Sequence, residues 1–316
     1  MFEKIMENST NYGNYKAIQA VACTASLPGK NHLYSLAALN ILLSITALLG
    51  NILIFIALRR EKSLHPPSKL LFRCLTATDL SVGVFSQPIF AIQLISIAHQ
   101  RLHLCYTVVS LNEIAGNSFS GVSLWTLTAI SVDRLLALLL GLRYRHTVTL
   151  KRMRGIVICF WIFNISICSL RRFGEHAIIS RVISAFIHSL LAISLFCYMK
   201  IYLTLRRHRT AVGDHAHRGQ LGEGRISPNM ARYRKTVSTA LWVQLTLVAC
   251  YLPYGIVAGA SHIMGYSPSH NLAVRLAITL VYLNSSLNPG LYCWKIRGVR
   301  HAVRETVRNL CRFNYS

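Results

Sequence analysis

Residues 110–145 read SLNEIAGNSFSGVSLWTLTAISVDRLLALLLGLRYR, and this stretch decides the fold. A hydrocarbon core is crossed by about 20 predominantly apolar residues at 1.5 Å rise each. The run up to Asp133-Arg134 is long enough to do so, and after one more apolar turn it meets the basic pair Arg143 and Arg145. Glu113 stands near its start, and Ser118, Ser120 and Ser123 lie along it. Lipid offers such groups no partner, so the helix is expected at the centre of a bundle with its polar side chains turned inward.

Composition extends this reading to the whole chain. It is 53% hydrophobic and only 14% charged, too apolar for an ordinary soluble domain. A net charge of +24 would suggest nucleic acid in a soluble protein. Here the Lys and Arg residues fall between apolar runs, as they do in the cytoplasmic loops of membrane proteins, and no nucleic-acid partner is expected. The nine cysteines are scattered singly with no metal-binding spacing. No basic-then-apolar leader opens the sequence, so the first span is expected to serve as the signal.

Apolar runs occur at about 33–58, 70–98, 105–140, 153–170, 177–205, 236–262 and 271–294. They predict an all-α bundle of seven transmembrane helices over 33–294, preceded by an extracellular tail at 1–32. The tail carries one glycosylation sequon at Asn8. The connection from Arg206 to Arg232, rich in Gly, His and Arg, reads as a flexible loop. Residues 295–310 carry apolar side chains at helical spacing among arginines, predicting an amphipathic helix on the membrane surface. A short cytoplasmic tail at 311–316 follows, with Cys311 available for palmitoylation. Most of the 34 Lys and Arg lie in the even-side loops and the C-terminal segment. That bias predicts an outside N-terminus and an inside C-terminus in the plasma membrane.

Six of the seven spans carry a polar or helix-bending mark. They are Gly50-Asn51 on the first, Asp79 on the second, Asp133-Arg134 on the third and Trp161 on the fourth. Cys250-Tyr251-Leu252-Pro253 lies on the sixth and Asn284-Ser285-Ser286-Leu287-Asn288-Pro289-Gly290-Leu291-Tyr292 on the seventh. A buried carboxylate such as Asp79 is costly in the membrane and marks function by default. Taken in order, the set resembles the rhodopsin family (class A) of G-protein-coupled receptors, over residues 33–310. The resemblance implies a receptor that passes an extracellular ligand's signal to a heterotrimeric G protein, surrounded by membrane lipids.

It also implies roles. Asn51, Asp79, Ser123, Asn284, Ser285 and Asn288 would converge at mid-membrane, around a Na⁺ ion held at Asp79 or a polar network of waters. Arg134 would pair with Asp133 at rest and swing inward on activation. Pro253, which lacks an N–H, would let the sixth helix bend outward, with Pro289 marking the seventh. Tyr198 and Tyr292 would then close on Arg134. Ligand-facing candidates are Glu113, Gly116, Asn117, Ser120, Phe186, Tyr251, Tyr254, Ala258, Ile278 and Tyr282.

The departures from the family pattern narrow the ligand. The position of the amine-pairing Asp holds Gly116, and that of the retinal-binding Lys holds Tyr282, so a biogenic amine and a light sensor are not expected. A peptide, lipid or nucleoside-like ligand remains. The outer disulfide is missing: Val109 stands where its third-helix Cys would be, and the second outer loop has none. Cys105 lies one turn earlier, with Cys23 in the tail as a possible partner, and these two alone do not require a bridge. A short second outer loop and Leu190 in place of the fifth-helix Pro resemble the melanocortin, lysophospholipid, cannabinoid and adenosine branch. Tyr251 replaces the usual sixth-helix Trp. Arg232-Tyr233-Arg234-Lys235 offers no carboxylate to lock Arg134, so appreciable basal activity is expected.

A seven-span transporter or channel is the alternative class, and a non-signalling membrane scaffold the next. The first would show internal repeats and paired intramembrane charges, which the sequence lacks. No nucleophile–base pair, phosphate loop or metal cluster supports an enzyme, and no cofactor is expected beyond the allosteric Na⁺.

Overall fold

A computed structural model describes residues 19–23, 30–60, 64–173, 176–218, 244–260, 268–295, 300–301, 303–304 and 308. Asn8, the 232–235 segment, Cys311 and the 311–316 tail lie outside the described residues, as does most of the 295–310 helix. Tyr292 is helical, but its side chain is not among those described.

Among the described residues all regular structure is helical. The helices are α1 (Asn31–Arg60), α2 (Pro66–Ala98), α3 (Leu102–Leu140), α4 (Leu150–Phe173), α5 (His176–Arg218), α6 (Gln244–Ala260) and α7 (Pro268–Lys295). The first five are each long and apolar enough to cross a membrane. Large apolar side chains cover the outside, for example Leu42, Leu49, Ile162 and Phe196, each more than half exposed. Asn, Ser, Thr and Asp side chains fill the inside. This inversion of the soluble pattern is what a lipid solvent requires. α3 packs against α2, α4 and α5, and α7 closes on α1. The small polar residues Ser118, Ser120 and Ser123 are buried on α3, where they let its neighbours approach.

Local chemistry sets the details. Pro66 and Pro67 open α2, where a missing N–H costs nothing. Midway, Pro88 cannot donate back to Val84, and the helix widens into a π turn at Val82–Ser86 in which the Gln87 N–H reaches Val82 instead. Gly141 ends α3 at φ 51°, a left-handed conformation that side chains disfavour. Gly50 permits close packing of α1 on α7: a Cβ there would stand 2.8 Å from the Pro289 ring.

Two boundaries differ from the sequence reading. The Arg143–Arg152 loop contains a short helix, Tyr144–Thr147. α5 runs on to Arg218, into the segment read as loop from Arg206. The apolar run stops where lipid stops, but a helix stops only at a breaker, and no Pro occurs before Pro228. The pairing left open above is made: Cys23 and Cys105 form a disulfide, their Cα atoms 6.0 Å apart. Residues 19–23 are thereby strapped across one end of the bundle. Gln19 Nε2 donates to Ser110 Oγ at 2.6 Å, Asn271 Nδ2 to the Val21 carbonyl at 3.0 Å, and an Arg275 guanidinium N–H to the Ala22 carbonyl at 3.1 Å.

Candidate functional site

Beneath the strap lies a cavity of about 200 Å³, walled by α3 to α7 with Gln93 of α2 and Ala22 of the strap. Glu113, Gly116, Asn117, Ser120, Phe186, Tyr251, Tyr254, Ile278 and Tyr282 all line it. Ala258 is not part of the wall. It lies on α6 one turn beyond Tyr254, and its methyl is too short to reach where the tyrosine ring does. The floor is tied together by hydroxyls. Tyr251 donates to the Ser120 carbonyl at 3.0 Å, joining α6 to α3. Tyr282 donates to Asn112 Oδ1 at 2.8 Å, and Asn112 Nδ2 to Gln93 Oε1 at 3.3 Å, linking α7, α3 and α2. Gly116 makes room for this, since a Cβ there would collide with the Tyr282 hydroxyl. Tyr254 donates to Asn117 Oδ1 at 3.4 Å.

Deeper in the bundle the six network residues are gathered and buried. Asp79 is fully buried and accepts from Ser123 Oγ at 3.1 Å and Asn288 Nδ2 at 2.7 Å, one bond on each carboxylate oxygen. Asn51 Nδ2 donates to the Ser285 carbonyl at 3.1 Å and to Ala47 at 2.8 Å. Asn284 is buried beside them, and its Nδ2 has no hydrogen-bond partner. Burial of a carboxylate without a cationic side chain is tolerable only with donors of this kind around it.

At the far end, Arg134 pairs with Asp133 at 2.8 Å, the guanidinium side 41% exposed and the carboxylate 1%. Asp133 is held from two further sides: Tyr144 donates to Oδ1 at 2.6 Å and Ser68 to Oδ2 at 2.9 Å. Tyr198 is buried on α5 against Leu135, next to Arg134. Pro253 sits within α6 two residues past Tyr251, and Pro289 within α7. A separate ladder joins three helices. The Ser131 and Ser194 hydroxyls are 3.0 Å apart, and Ser194 donates to Gln244 Oε1 at 2.6 Å, linking α3, α5 and α6.

A model of the seven-transmembrane receptors of the rhodopsin family matches residues 50–177 and 173–292. The chain belongs to this family. Among its relatives, the bovine (Bos taurus) adenosine receptor A2b is 26% identical, over 87% of this chain and 90% of its own. Human adenosine receptor A2a is 24% identical over 84% and 70% respectively. Melanocortin receptor 4 of Danio rerio is 22% identical over 83% and 81%. The molecule is therefore a multi-pass plasma-membrane receptor rather than an enzyme, and it signals from an extracellular ligand to a G protein.

Sequence reasoning missed several residues of this receptor's cavity. Gln93, Asn112 and Asn164 supply amides to it, and Trp125 and Phe163 supply aromatic faces. Trp125 stacks on Phe160 at 5.1 Å, while Phe163 meets Phe186 edge-on at 4.9 Å. Polar side chains inside apolar runs were a usable signal for the amides. Aromatics in such runs carry none, because lipid-facing and cavity-facing rings look alike in sequence.

Proposed function

We propose that this receptor binds a small, flat, hydrogen-bonding ligand of the nucleoside-like class in the cavity under the strap. The observation that carries this reading is the make-up of the wall: aromatic faces from Trp125, Phe163, Phe186, Tyr251, Tyr254 and Tyr282, interleaved with the amides of Gln93, Asn112, Asn117 and Asn164. Aromatic faces stack on a planar ring, and the amide hydrogens and lone pairs not already spent on neighbouring residues can pair with its edge. Glu113 adds one acceptor-only group suited to ligand N–H or O–H donors. The similarity to adenosine receptors supports the same class. The strap and cavity face outward, and the Arg134 end faces the cytoplasm, where the arginine-rich segments lie.

Ligand binding biases a two-state element. At rest Arg134 is held by Asp133 and α6 by the Ser131–Ser194–Gln244 ladder. On activation α6 bends outward at Pro253, and Arg134, Tyr198 and Tyr292 line the opened G-protein cavity. Asp79 holds Na⁺ in the resting form. Its donor set fits: one carboxylate, with lone pairs beyond the two already used, and neutral hydroxyl and amide oxygens suit a singly charged hard cation rather than a divalent ion.

The test is a panel of nucleosides, peptides and lipids scored by cAMP and Ca²⁺ responses in cells expressing the full chain. A nucleoside-class response lost in Asn117→Leu and Asn112→Leu is expected. Activation by peptides or lipids alone would overturn the ligand assignment.

A further inference from the structure

A second cavity, of about 380 Å³, opens on the flank of the bundle between α3, α4 and α5, toward the Arg134 end. Its wall is built from side chains such as Ala129, Val132, Ile156, Phe160 and Ile193. The hydroxyls of Thr128 and Thr147 in the wall are spent on carbonyls of their own turns. Ile156 and Ile193 at its edges are 43% and 45% exposed, so the mouth lies on the surface that the bilayer covers. A largely apolar groove facing hydrocarbon selects an acyl chain over any polar solute.

The rim adds a charge. Arg152 lines the groove, is exposed, and commits one N–H to the Thr147 carbonyl at 2.8 Å. A guanidinium has five N–H donors, so the remainder can take a phosphate. Lys151 and Arg154 flank it, both exposed. We propose that this groove is a site for one acyl chain of an anionic phospholipid, its headgroup on Arg152, and that occupancy holds the receptor at rest.

The second half follows from what the groove touches. Asp133 lines it, as do Thr147 and Val148. Tyr144 lies one turn before Val148, whose N–H bonds to the Tyr144 carbonyl at 2.9 Å, and its hydroxyl holds Asp133. A chain packed on Thr147 and Val148 keeps that short helix seated, and with it the carboxylate that restrains Arg134. Trp125 and Leu190 stand in the walls of both cavities, so the lipid and the ligand sit back to back.

The experiment uses the full chain in nanodiscs of phosphatidylcholine with rising phosphatidylglycerol, and a phosphatidylglycerol whose acyl chain carries a diazirine. Photolabel should concentrate on residues 147–160 and fall sharply in Ala129→Trp, and also in Ile156→Trp, a lipid-facing change that leaves the interior intact. Arg152→Gln should cost about fivefold in preference for phosphatidylglycerol, the attraction of one basic residue to an anionic surface. Phosphatidylglycerol should lower basal nucleotide exchange in the wild type and not in Arg152→Gln. Labelling spread evenly around the belt, labelling unchanged in both tryptophan variants, or exchange indifferent to phosphatidylglycerol would each overturn the proposal.

Discussion

Replacing Gln244 by Leu should raise the receptor's basal signalling. Gln244 is 4% exposed, Ser194 0% and Ser131 1%, so water does not compete for the ladder that joins α3, α5 and α6. Leucine is close to glutamine in size and removes both the acceptor of the 2.6 Å bond from Ser194 and the buried Gln244 Nε2, which has no hydrogen-bond partner. Ser194 keeps Ser131 as a partner at 3.0 Å, so no donor is newly orphaned, and loss of the unpaired Nε2 offsets part of the cost, which makes the net value of one neutral hydrogen bond the upper bound. That value is about 1 kcal/mol. An outward movement of α6 must break this bond, so its removal destabilises the resting form alone, which is worth up to about fivefold in the resting-to-active ratio. Ser194→Ala severs both rungs and leaves the buried Gln244 amide with neither end paired, so it should shift the ratio by about tenfold or more, while Ser131 keeps its bond to the Leu127 carbonyl at 2.9 Å. The assay is GTPγS binding in membranes without added ligand, normalised to surface receptor. Basal exchange equal to or below wild type in Gln244→Leu, at matched expression, would refute the assignment of the ladder as a resting-state restraint.

Other substitutions probe the remaining ties. Tyr144→Phe removes the 2.6 Å bond to the buried Asp133 carboxylate, a charge-assisted contact of about 1.5–3 kcal/mol, and should raise basal exchange by about tenfold to a hundredfold. Asp79→Asn should leave surface expression intact, abolish the effect of exchanging Na⁺ for N-methylglucamine on basal signalling, and cut agonist-driven exchange; a variant that retains Na⁺ sensitivity would dismiss Asp79 as the ion site. Cys23→Ala with Cys105→Ala opens a link between residues 82 apart, worth up to about 4.5 kcal/mol in a chain-entropy account. A smaller fall in detergent melting temperature is expected, because the bilayer already confines the helices, and an unchanged melt would show the strap to be energetically idle.

What the sequence discloses follows from how lipid constrains a chain. Seven spans were legible because about 20 apolar residues in a row have few other uses. Asp79, Asp133 and Arg134 stood out because a charge is expensive there. The cavity was legible in part: all the chosen ligand-facing residues but Ala258 share one wall, since a register counted from Arg134 fixes which face of α3 points inward. Tyr144 escaped notice, because a tyrosine in a basic loop looks like an interfacial anchor, and its bond to Asp133 depends on a short helix that no hydrophobic pattern marks. Ala22 escaped as well, since a small residue in a polar tail gains its place only through Cys23. The Gln93–Asn112 pairing was hidden by the π turn, which breaks the count from Asp79 onward.

A wide turn such as Val82–Ser86 inserts one extra residue into the spiral, so everything beyond it is rotated by about 100° relative to an unbroken helix. Gln93 owes its inward aim to that offset. Excising the exposed Phe85 would restore the ordinary winding and swing Gln87 and Gln93 toward hydrocarbon, taking the Gln93 amide out of the chamber with no substitution at any lining residue. The recognition face of α2 is thus set by arithmetic as much as by side-chain type. A gain or loss of one residue at this point would therefore change which α2 side chains face the ligand without a substitution at any of them.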